Sequence, residues 1–335
     1  MAKLFSRRRF TRLFLLKENC MIDIQKRVLS KKFVKMYYKI FDDFVLNSCL
    51  ESGAWIAGGF ARKTALIYNR IDNNFNSYET KPLESMINYF HKDSGDVDIF
   101  VKSDEMLNDI CNKIGLHSPD GKTFSNVIQN DYSNFRRVFI SPFALNIHSY
   151  DSILHYQNLR SFPIQIVNKF MFKTIKDCFK SFDIKNCMYA ISKENNQYIL
   201  HYDKKALELD KLKKVDINHN NSPYLGNRLY KYLSSKGLTI KESERNQNIL
   251  REYYFKIVSN SWPEIYNLRD VELFNKCSMQ NISKVIKMSA NDLSIFIGKY
   301  TEITFKRKAN LNGYGFYLTA HENDWALNKI NNMWG

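Results

Sequence analysis

Two short segments constrain the fold of this chain more than any others: an apolar run that ends in two glycines, and a later run that carries two aspartates. Residues 54–57 (Ala-Trp-Ile-Ala) lead directly into Gly58-Gly59, as a buried strand does where it enters a tight turn. Asp96 and Asp98 alternate with apolar residues, which predicts a second strand with both carboxylates on one face. We therefore expect a glycine turn and a carboxylate pair, each placed by a strand.

The chemistry of these two segments points to magnesium and phosphate. Two carboxylates so close together repel each other unless a divalent cation lies between them, and Mg²⁺ prefers such oxygen ligands. Two metal ions about 3.5–4 Å apart can activate an attacking hydroxyl and stabilise a leaving pyrophosphate. Glycines allow backbone N–H groups to approach a triphosphate. Each segment alone is more typical of an ordinary turn or a solvated strand end, so the prediction rests on their conjunction.

The charge of the chain indicates a polyanionic partner. Lys and Arg number 50 against 34 Asp and Glu, for a net charge of +16, which favours RNA, DNA or a nucleoside triphosphate. A general lysine bias explains the charge equally well, because the chain is also rich in Asn, Ile and Tyr, which share AT-rich codons. The six cysteines show no C-x-x-C spacing, so neither a disulfide framework nor a zinc site is expected. No run approaches the roughly 18 apolar residues that span a bilayer, so we expect no membrane partner and a cytoplasmic location.

Hydrophobic periodicity divides the chain into three parts. Residues 51–205 mix strand and helix patterns, and we expect an α+β core with a small mixed sheet and flanking helices. Residues 1–50 form a basic extension with a helical pattern over 24–50, and residues 206–335 form a mainly helical C-terminal region. The predicted strands span residues 54–57, 97–101, 135–143, 145–148, 163–167, 182–192 and 198–202. The other predicted helices span residues 60–68, 83–90, 104–114, 170–179, 227–235, 242–260 and 268–288.

The conjunction of the two segments resembles the DNA polymerase β-like nucleotidyltransferases. Their motif is a hydrophobic strand, Gly-Gly or Gly-Ser, and then two aspartates alternating with hydrophobic residues, as in residues 94–100 (Ser-Gly-Asp-Val-Asp-Ile-Phe). Residues 58–62 (Gly-Gly-Phe-Ala-Arg) also match the G-G-x-x-R start of the tRNA nucleotidyltransferase branch. The resemblance implies Asp96 and Asp98 as catalytic metal ligands. It also implies that the nucleotide is bound by Gly58, Gly59 and Arg62.

The resemblance also implies a third carboxylate on a later strand, between hydrophobic residues. Asp183 fits this setting by residue type, between Phe182 and Ile184, and is predicted as the third catalytic and metal-binding residue. Gln165 occupies a competing strand, and a glutamine could not deprotonate a hydroxyl. If the strand of Gln165 holds the third position, the resemblance no longer implies catalysis, and metal binding is weakened.

Further segments resemble a group of viral and phage nucleotidyltransferases. They are residues 163–167, residues 181–184 with Cys187 following, and residues 228–232 with Lys236-Gly237 following. The resemblance covers roughly residues 54–240. One departure is the separation of 37 positions between Gly59 and Asp96, which exceeds the usual spacing. We interpret residues 69–94 as an insertion, since insertions in surface loops cost little stability.

Two functions follow from the resemblance. The first is a Mg²⁺-dependent enzyme that moves a nucleoside monophosphate from a triphosphate to a hydroxyl and releases pyrophosphate. An RNA 3′ end, a protein side chain and a small molecule are all open as the acceptor, and the net charge favours the RNA 3′ end. The second is a viral or phage structural protein, or a nucleic-acid-associated virion protein, that keeps the fold as a binding scaffold with protein partners in an assembly. Its location would be the host cytoplasm or the virion.

Overall fold

The computed structural model describes residues 22–34, 43–69, 96–116, 127–129, 135–140, 144–150, 164–168, 170–222, 225–258, 287–295 and 297. Its strands are β1 (Ile24–Val28), β2 (Trp55–Ala57), β3 (Val97–Phe100), β4 (Val127–Gln129), β5 (Phe135–Ile140), β6 (Ala144–Tyr150), β7 (Ile164–Val167), β8 (Tyr189–Glu194), β9 (Gln197–Asp203), β10 (Lys214–Val215) and β11 (Thr239–Ile240). Its α-helices are α1 (Phe44–Glu51), α2 (Gly59–Tyr68), α3 (Asp104–Lys113), α4 (Ile175–Ser181), α5 (Lys204–Lys211), α6 (Leu225–Tyr230) and α7 (Glu244–Val258). A 3-10 turn spans Lys185–Cys187, and a π-helical turn spans Lys231–Ser235. None of the described helices has the length and apolar character needed to cross a membrane.

A nine-stranded mixed sheet forms the centre of the molecule, with the order β1-β9-β8-β2-β3-β7-β6-β5-β4. Strand β3 pairs in parallel with β7, whereas the other described pairs of this sheet are antiparallel. A second small sheet contains β10 and β11. The expected α+β fold, a mixed sheet with flanking helices, is confirmed.

The central strands form because their residues are apolar and nearly free of water contact. All three residues of β2 are buried, as are Val97, Ile99 and Phe100 in β3. Full burial of such a side chain contributes roughly 1.5–3 kcal/mol. Two of the helices beside the sheet begin at side-chain caps: Asp43 accepts from the first turn of α1, and Ser103 from that of α3. Capping satisfies N–H groups that have no partner within the helix.

A second hydrophobic core lies in the C-terminal part. It joins Ile184 to β10, β11 and the C-terminal helices, and its buried residues include Leu229, Tyr232, Leu250, Tyr253 and Leu293. The larger core joins the sheet to the helices on its faces and extends to Leu207. Two clusters are compatible with a C-terminal region that starts near residue 205, and the three-part domain division stays a prediction.

Two predicted elements were wrong for a tertiary reason, and the helix predicted over residues 170–179 begins only at Ile175. Residues 24–28 form a strand rather than a helix, because β1 pairs along its whole length with β9. Residues 182–188 are not strand, since β8 begins only at Tyr189. In this stretch the backbone bonds instead to the C-terminal part: Asn218 N donates to the Asp183 carbonyl at 2.7 Å, and Lys185 N donates to the Asp216 carbonyl at 3.0 Å. The predicted helices 83–90 and most of 268–288 lie outside the described residues.

His201 on β9 is expected to make the stability of the protein fall in mild acid. Its side chain is 1% exposed, and its Nε2 lies 2.8 Å from Ser192 Oγ. Burial, with a smaller contribution from Lys26, lowers the pKa of His201 to about 4 from 6.5. As the pH falls, the histidine of the unfolded chain binds a proton before His201 of the folded protein does. The contribution of neutral His201 to the free energy of unfolding is therefore fully present above pH 6.5. It is lost as the pH falls toward 4, by up to about 3 kcal/mol.

Urea unfolding at pH 7.5 and pH 4.5 measures this effect. The wild type is expected to lose about 2–3 kcal/mol more than a His201→Gln variant between the two pH values. The variant serves as its own reference for the carboxylates, which titrate in both proteins. Equal losses in the two proteins would show that His201 does not control the acid sensitivity.

Candidate functional site

The centre of the candidate site is the turn between β2 and α2. Gly58 adopts φ 84° and ψ −135°, a conformation that residues with a side chain rarely adopt. Its N–H donates to the Tyr189 carbonyl of β8 at 3.0 Å, and its carbonyl accepts from Arg62 N at 2.9 Å. Gly58 makes no side-chain cap at the start of α2. The first N–H groups of α2 and the positive end of the helix dipole form a place for a phosphate group.

The Asp98 carboxylate lies directly against this turn. Strand β3 runs antiparallel to β2 and pairs Asp98 with Ala57, the residue before Gly58. A methyl group added to Gly58 would lie 3.6 Å from Asp98 Oδ2. Asp96 immediately precedes β3, and both aspartates are partly exposed, whereas Val97 between them is buried. The structure thus places Asp98 beside the glycine turn at the start of α2, with Asp96 close enough to act on it electrostatically.

The electrostatic state of Asp98 reflects its crowded surroundings. Burial and the neighbouring carboxylate of Asp96 raise the pKa of Asp98 to about 8, and the positive charges of Arg228 and Lys231 act against this shift. A carboxyl whose charge is so disfavoured gains from a cation between it and its neighbour. The pair therefore offers carboxylate oxygens, which are the donors that suit a divalent metal ion.

Replacement of Gly58 by alanine is expected to cost roughly 1–3 kcal/mol of stability and to abolish any activity of the site. The cost arises because φ near +84° is strained for alanine. Relief of that strain would move the turn away from Asp98. Stability is measured by urea unfolding, and activity by the transfer of label from a nucleoside triphosphate.

Gly115→Ala is the matched control for the glycine turn. Gly115 also has a positive φ, of 76°, and among the described residues no atom lies within 4 Å of an added methyl group. Both variants place a side chain at a positive φ and should lose stability, but only Gly58→Ala should lose activity. Equal activities for the two variants would show that the turn has no special role.

Gln165 is the neighbour of Asp98 on the adjacent strand. The parallel register of β3 and β7 pairs Asp98 with Gln165, so the two side chains lie on the same face of the sheet. Asp183, by contrast, lies outside this sheet, in the bend after α4. The strand position beside the carboxylates thus holds an amide, while the assignment of Asp183 as a third metal ligand stays a prediction.

Asp183 contacts the site through an arginine. Its Oδ2 accepts from Arg228 Nη1 at 2.7 Å, and the side chains of Asp183 and Arg228 are 1% and 48% exposed. Asp183 Oδ1 is buried and has no hydrogen-bond partner among the described residues. The Asp183 carbonyl accepts from Asn218 N at 2.7 Å, which ties this bend to the C-terminal region. Asp183 is therefore a rigid, buried counter-ion for Arg228.

Arg228 and Lys231 place positive charge opposite the carboxylates. Arg228 lies on α6, Lys231 follows at the start of the π-helical turn, and both are exposed. Their separation by three positions puts them on one side of the helical segment. Both lower the pKa of Asp98, so both lie close enough to act on it electrostatically. Sequence reasoning gave Arg228 no role, although its spacing to Lys231 was a usable signal.

Arg62 forms a buried ion pair with Asp210. Its Nη2 donates to Asp210 Oδ1 at 2.8 Å, and its Nε lies 3.1 Å from each Asp210 oxygen. Asp210 also accepts from Asn186 Nδ2 and from Tyr189 Oη, each at 2.7 Å. This network joins α2 to α5 and β8. The geometry favours Arg62 as a positioning residue for α2, and its contact with a triphosphate stays a prediction.

The side chains of the site offer the kind of oxygen ligand that Mg²⁺ prefers, but they supply only part of its coordination. Among the described residues, no group of three or more His, Cys, Asp and Glu side chains could hold a metal ion. Asp96 and Asp98 offer carboxylate oxygens, and Mg²⁺ commonly uses one or two carboxylates, with water and substrate phosphates completing its octahedron. The residues present therefore fit a metal ion that arrives with the nucleotide.

Comparison with known proteins identifies the family. Residues 27–209 match the family model described as Gabija anti-defense 2 family protein. Because this match covers more than half of the chain, the protein belongs to the Gabija anti-defense 2 family. A search of curated proteins found no match.

Solved structures with some similarity are CCA-adding enzymes. One is the Thermotoga maritima CCA-adding enzyme complexed with tRNA, at 14% identity and a TM-score of 0.41, covering 89% of this chain and 58% of that one. Another is a CCA-adding enzyme in complex with ATP, at 14% identity and a TM-score of 0.40, covering 78% of this chain and 54% of that one. The chain thus spans little more than half the length of these enzymes.

Proposed function

We propose that this protein is a Mg²⁺-dependent nucleotidyltransferase that moves a nucleoside monophosphate from a triphosphate to an acceptor hydroxyl, with an RNA 3′ end as the favoured acceptor. The carrying observation is the Asp98 carboxylate against the glycine turn at the start of α2, 3.6 Å from the position of an added methyl group. This contact unites a metal-binding group and a phosphate-binding group in one place. The pairing is what transfer of a nucleotide requires.

Each part of the site has a role in this reaction. Asp96 and Asp98 would hold Mg²⁺, and Gly58 and Gly59 let the N–H groups of α2 bind the phosphates. When bound there, the ion would supply a Lewis acid for the α-phosphate and the acceptor hydroxyl. The acceptor oxygen bonds to the α-phosphorus as the bond to the pyrophosphate oxygen breaks, and the hydroxyl proton passes to solvent.

Arg228 on α6 and Lys231 in the π-helical turn stabilise the leaving pyrophosphate in this proposal. Negative charge builds up on the pyrophosphate as its bond to the α-phosphorus breaks, and fixed positive charges stabilise it. Arg228 is exposed on one side and held by the buried Asp183 on the other. Asp183 therefore enters the proposal as the residue that positions Arg228, beside its predicted role as a metal ligand.

Incubation of the purified protein with Mg²⁺, each α-labelled nucleoside triphosphate and mixed RNA tests the proposal. The wild type is expected to transfer label, and an Asp96→Ala/Asp98→Ala variant is expected to transfer none. The molecule that becomes labelled, whether RNA or a protein in the mixture, is the acceptor. If folded wild-type protein transfers label from no triphosphate, the enzymatic proposal fails.

Replacement of Arg228 by methionine is expected to lower kcat about 10²-fold, because one stabilising charge on the leaving group is lost. The KM for the triphosphate should change much less. Arg27→Met is the matched control, since Arg27 is an exposed arginine on the edge strand β1. Steady-state kinetics with labelled triphosphate measure both constants. Equal kcat values for the two variants would remove Arg228 from the proposed mechanism.

The family supports a biological setting for this activity. The matched model is named for anti-defense against Gabija, and we place the proposed transfer in that role. The acceptor would then be a nucleic acid or protein whose modification relieves the defence. The labelled product in the transfer assay distinguishes these acceptors.

A further inference from the structure

A row of polar side chains continues across the sheet from the candidate metal site. The registers pair Asp98 with Gln165, and Gln165 with Asn146 on β6. Paired residues on neighbouring strands project to the same face. With strands about 4.8 Å apart, the two amides lie roughly 5 and 10 Å along the row from Asp98.

This row stands out from its surroundings by exposure. Asp98, Gln165 and Asn146 are each partly exposed, and Asn146 Nδ2 donates to the Ala144 carbonyl of its own strand at 3.2 Å. The residues before and after them on all three strands are buried: Val97, Ile99, Ile164, Ile166, Leu145 and Ile147. Because alternate residues point to opposite faces, one face of the sheet here is packed in the core. The other face presents a polar strip that begins at the carboxylates.

The chemistry of the strip differs from that of the rest of the site. An amide side chain carries no charge, offers both a donor and an acceptor, and cannot take up a proton at neutral pH. It is a poor partner for a triphosphate, whose charge is matched by the α2 terminus and by Arg228. Glutamine and asparagine pair well with the edges of nucleobases, which also present donors and acceptors together.

We propose that Gln165 and Asn146 bind the base of the last nucleotide of a single-stranded nucleic-acid acceptor. This inference rests on the proposed transfer to a 3′ end and names the residues that recognise that end. The two amides lie roughly 5 and 10 Å along the row from Asp98. If the 3′ hydroxyl lies at Asp98, the base of the same nucleotide can reach them. The net charge of +16 suits the backbone of such a strand.

Binding, rather than transfer, tests this inference. Fluorescence anisotropy measures the Kd of two labelled RNA oligonucleotides that differ only in a normal or an abasic 3′-terminal nucleotide, in Ca²⁺ with a non-hydrolysable triphosphate. The wild type is expected to prefer the normal end by at least about 10-fold. Gln165→Ala and Asn146→Ala should each lose most of this preference and bind the abasic oligonucleotide as the wild type does.

The controls separate this inference from the proposed function. Gln25→Ala replaces an exposed glutamine on β1 of the same sheet and should keep the full preference. No preference in the wild type, or a preference that survives both substitutions, overturns the inference. Catalysis is tested independently of either result, by label transfer with the Asp96→Ala/Asp98→Ala variant. Because the two amide variants lie on different strands, misfolding of one, seen in its thermal melt, leaves the other as the test.

Discussion

Asparagine in place of Asp98 should lower nucleotidyl transfer by at least about 10³-fold, while the protein stays folded. The amide matches the carboxylate in shape but gives up the charge that binds Mg²⁺. The same change removes the repulsion between Asp98 and Asp96, which together with burial raises the pKa of Asp98 to about 8. The free energy of unfolding should therefore stay the same or rise by about 1 kcal/mol. Label transfer and urea unfolding measure the two effects.

Loss of activity without loss of stability is the signature that matters for Asp98. Asp109→Asn is the matched control, because Asp109 is an exposed aspartate on α3 that pairs with Lys113. It should leave transfer unchanged. A marked loss of stability in Asp98→Asn would contradict the account, because it would give the carboxylate a structural role.

Alanine in place of Asp210 should produce the largest loss of stability, about 3–5 kcal/mol. Asp210 is the buried partner of Arg62, and it also binds Asn186 and Tyr189. Removal of one member of a buried ion pair leaves the other charged and without compensation, which costs far more than the pair contributes. Equilibrium unfolding in urea measures the change.

Two further variants identify the source of this loss. An Arg62→Met/Asp210→Leu variant removes both charges and should recover much of the stability, because no lone charge is left buried. Asp109→Ala breaks an exposed ion pair and should cost less than about 1 kcal/mol. If Asp210→Ala also cost less than about 1 kcal/mol, the network would not be what holds α2 against α5.

The sequence predicted the fold best where side-chain patterning alone decides the structure. The apolar run before Gly58 and the alternation around Asp98 together predicted two strands, and both strands are present. Residues 24–28 were predicted wrongly because β1 depends on pairing with β9, nearly two hundred positions away. No local pattern contains that information.

In the candidate site, too, the sequence predicted the parts that depend on local patterns and missed those that depend on distant segments. The relation of Asp98 to the glycine turn comes from adjacent strands, and the sequence pointed to both parts. The partners of Arg62 and Asp183 come from distant segments, at Asp210 and Arg228. Those pairings depend on how the C-terminal helices pack, which neither spacing nor composition specifies.

The central claim is that the proposed role against Gabija depends on catalysis at the carboxylate site. The most direct test is whether the Asp98→Asn variant still protects phage against Gabija. Phage plating is compared on Gabija-bearing cells that express wild type or variant at equal levels. The account predicts that the wild type restores plaques and that the folded variant does not. Equal protection by the variant would contradict the account, and would show that the fold acts as a binding scaffold.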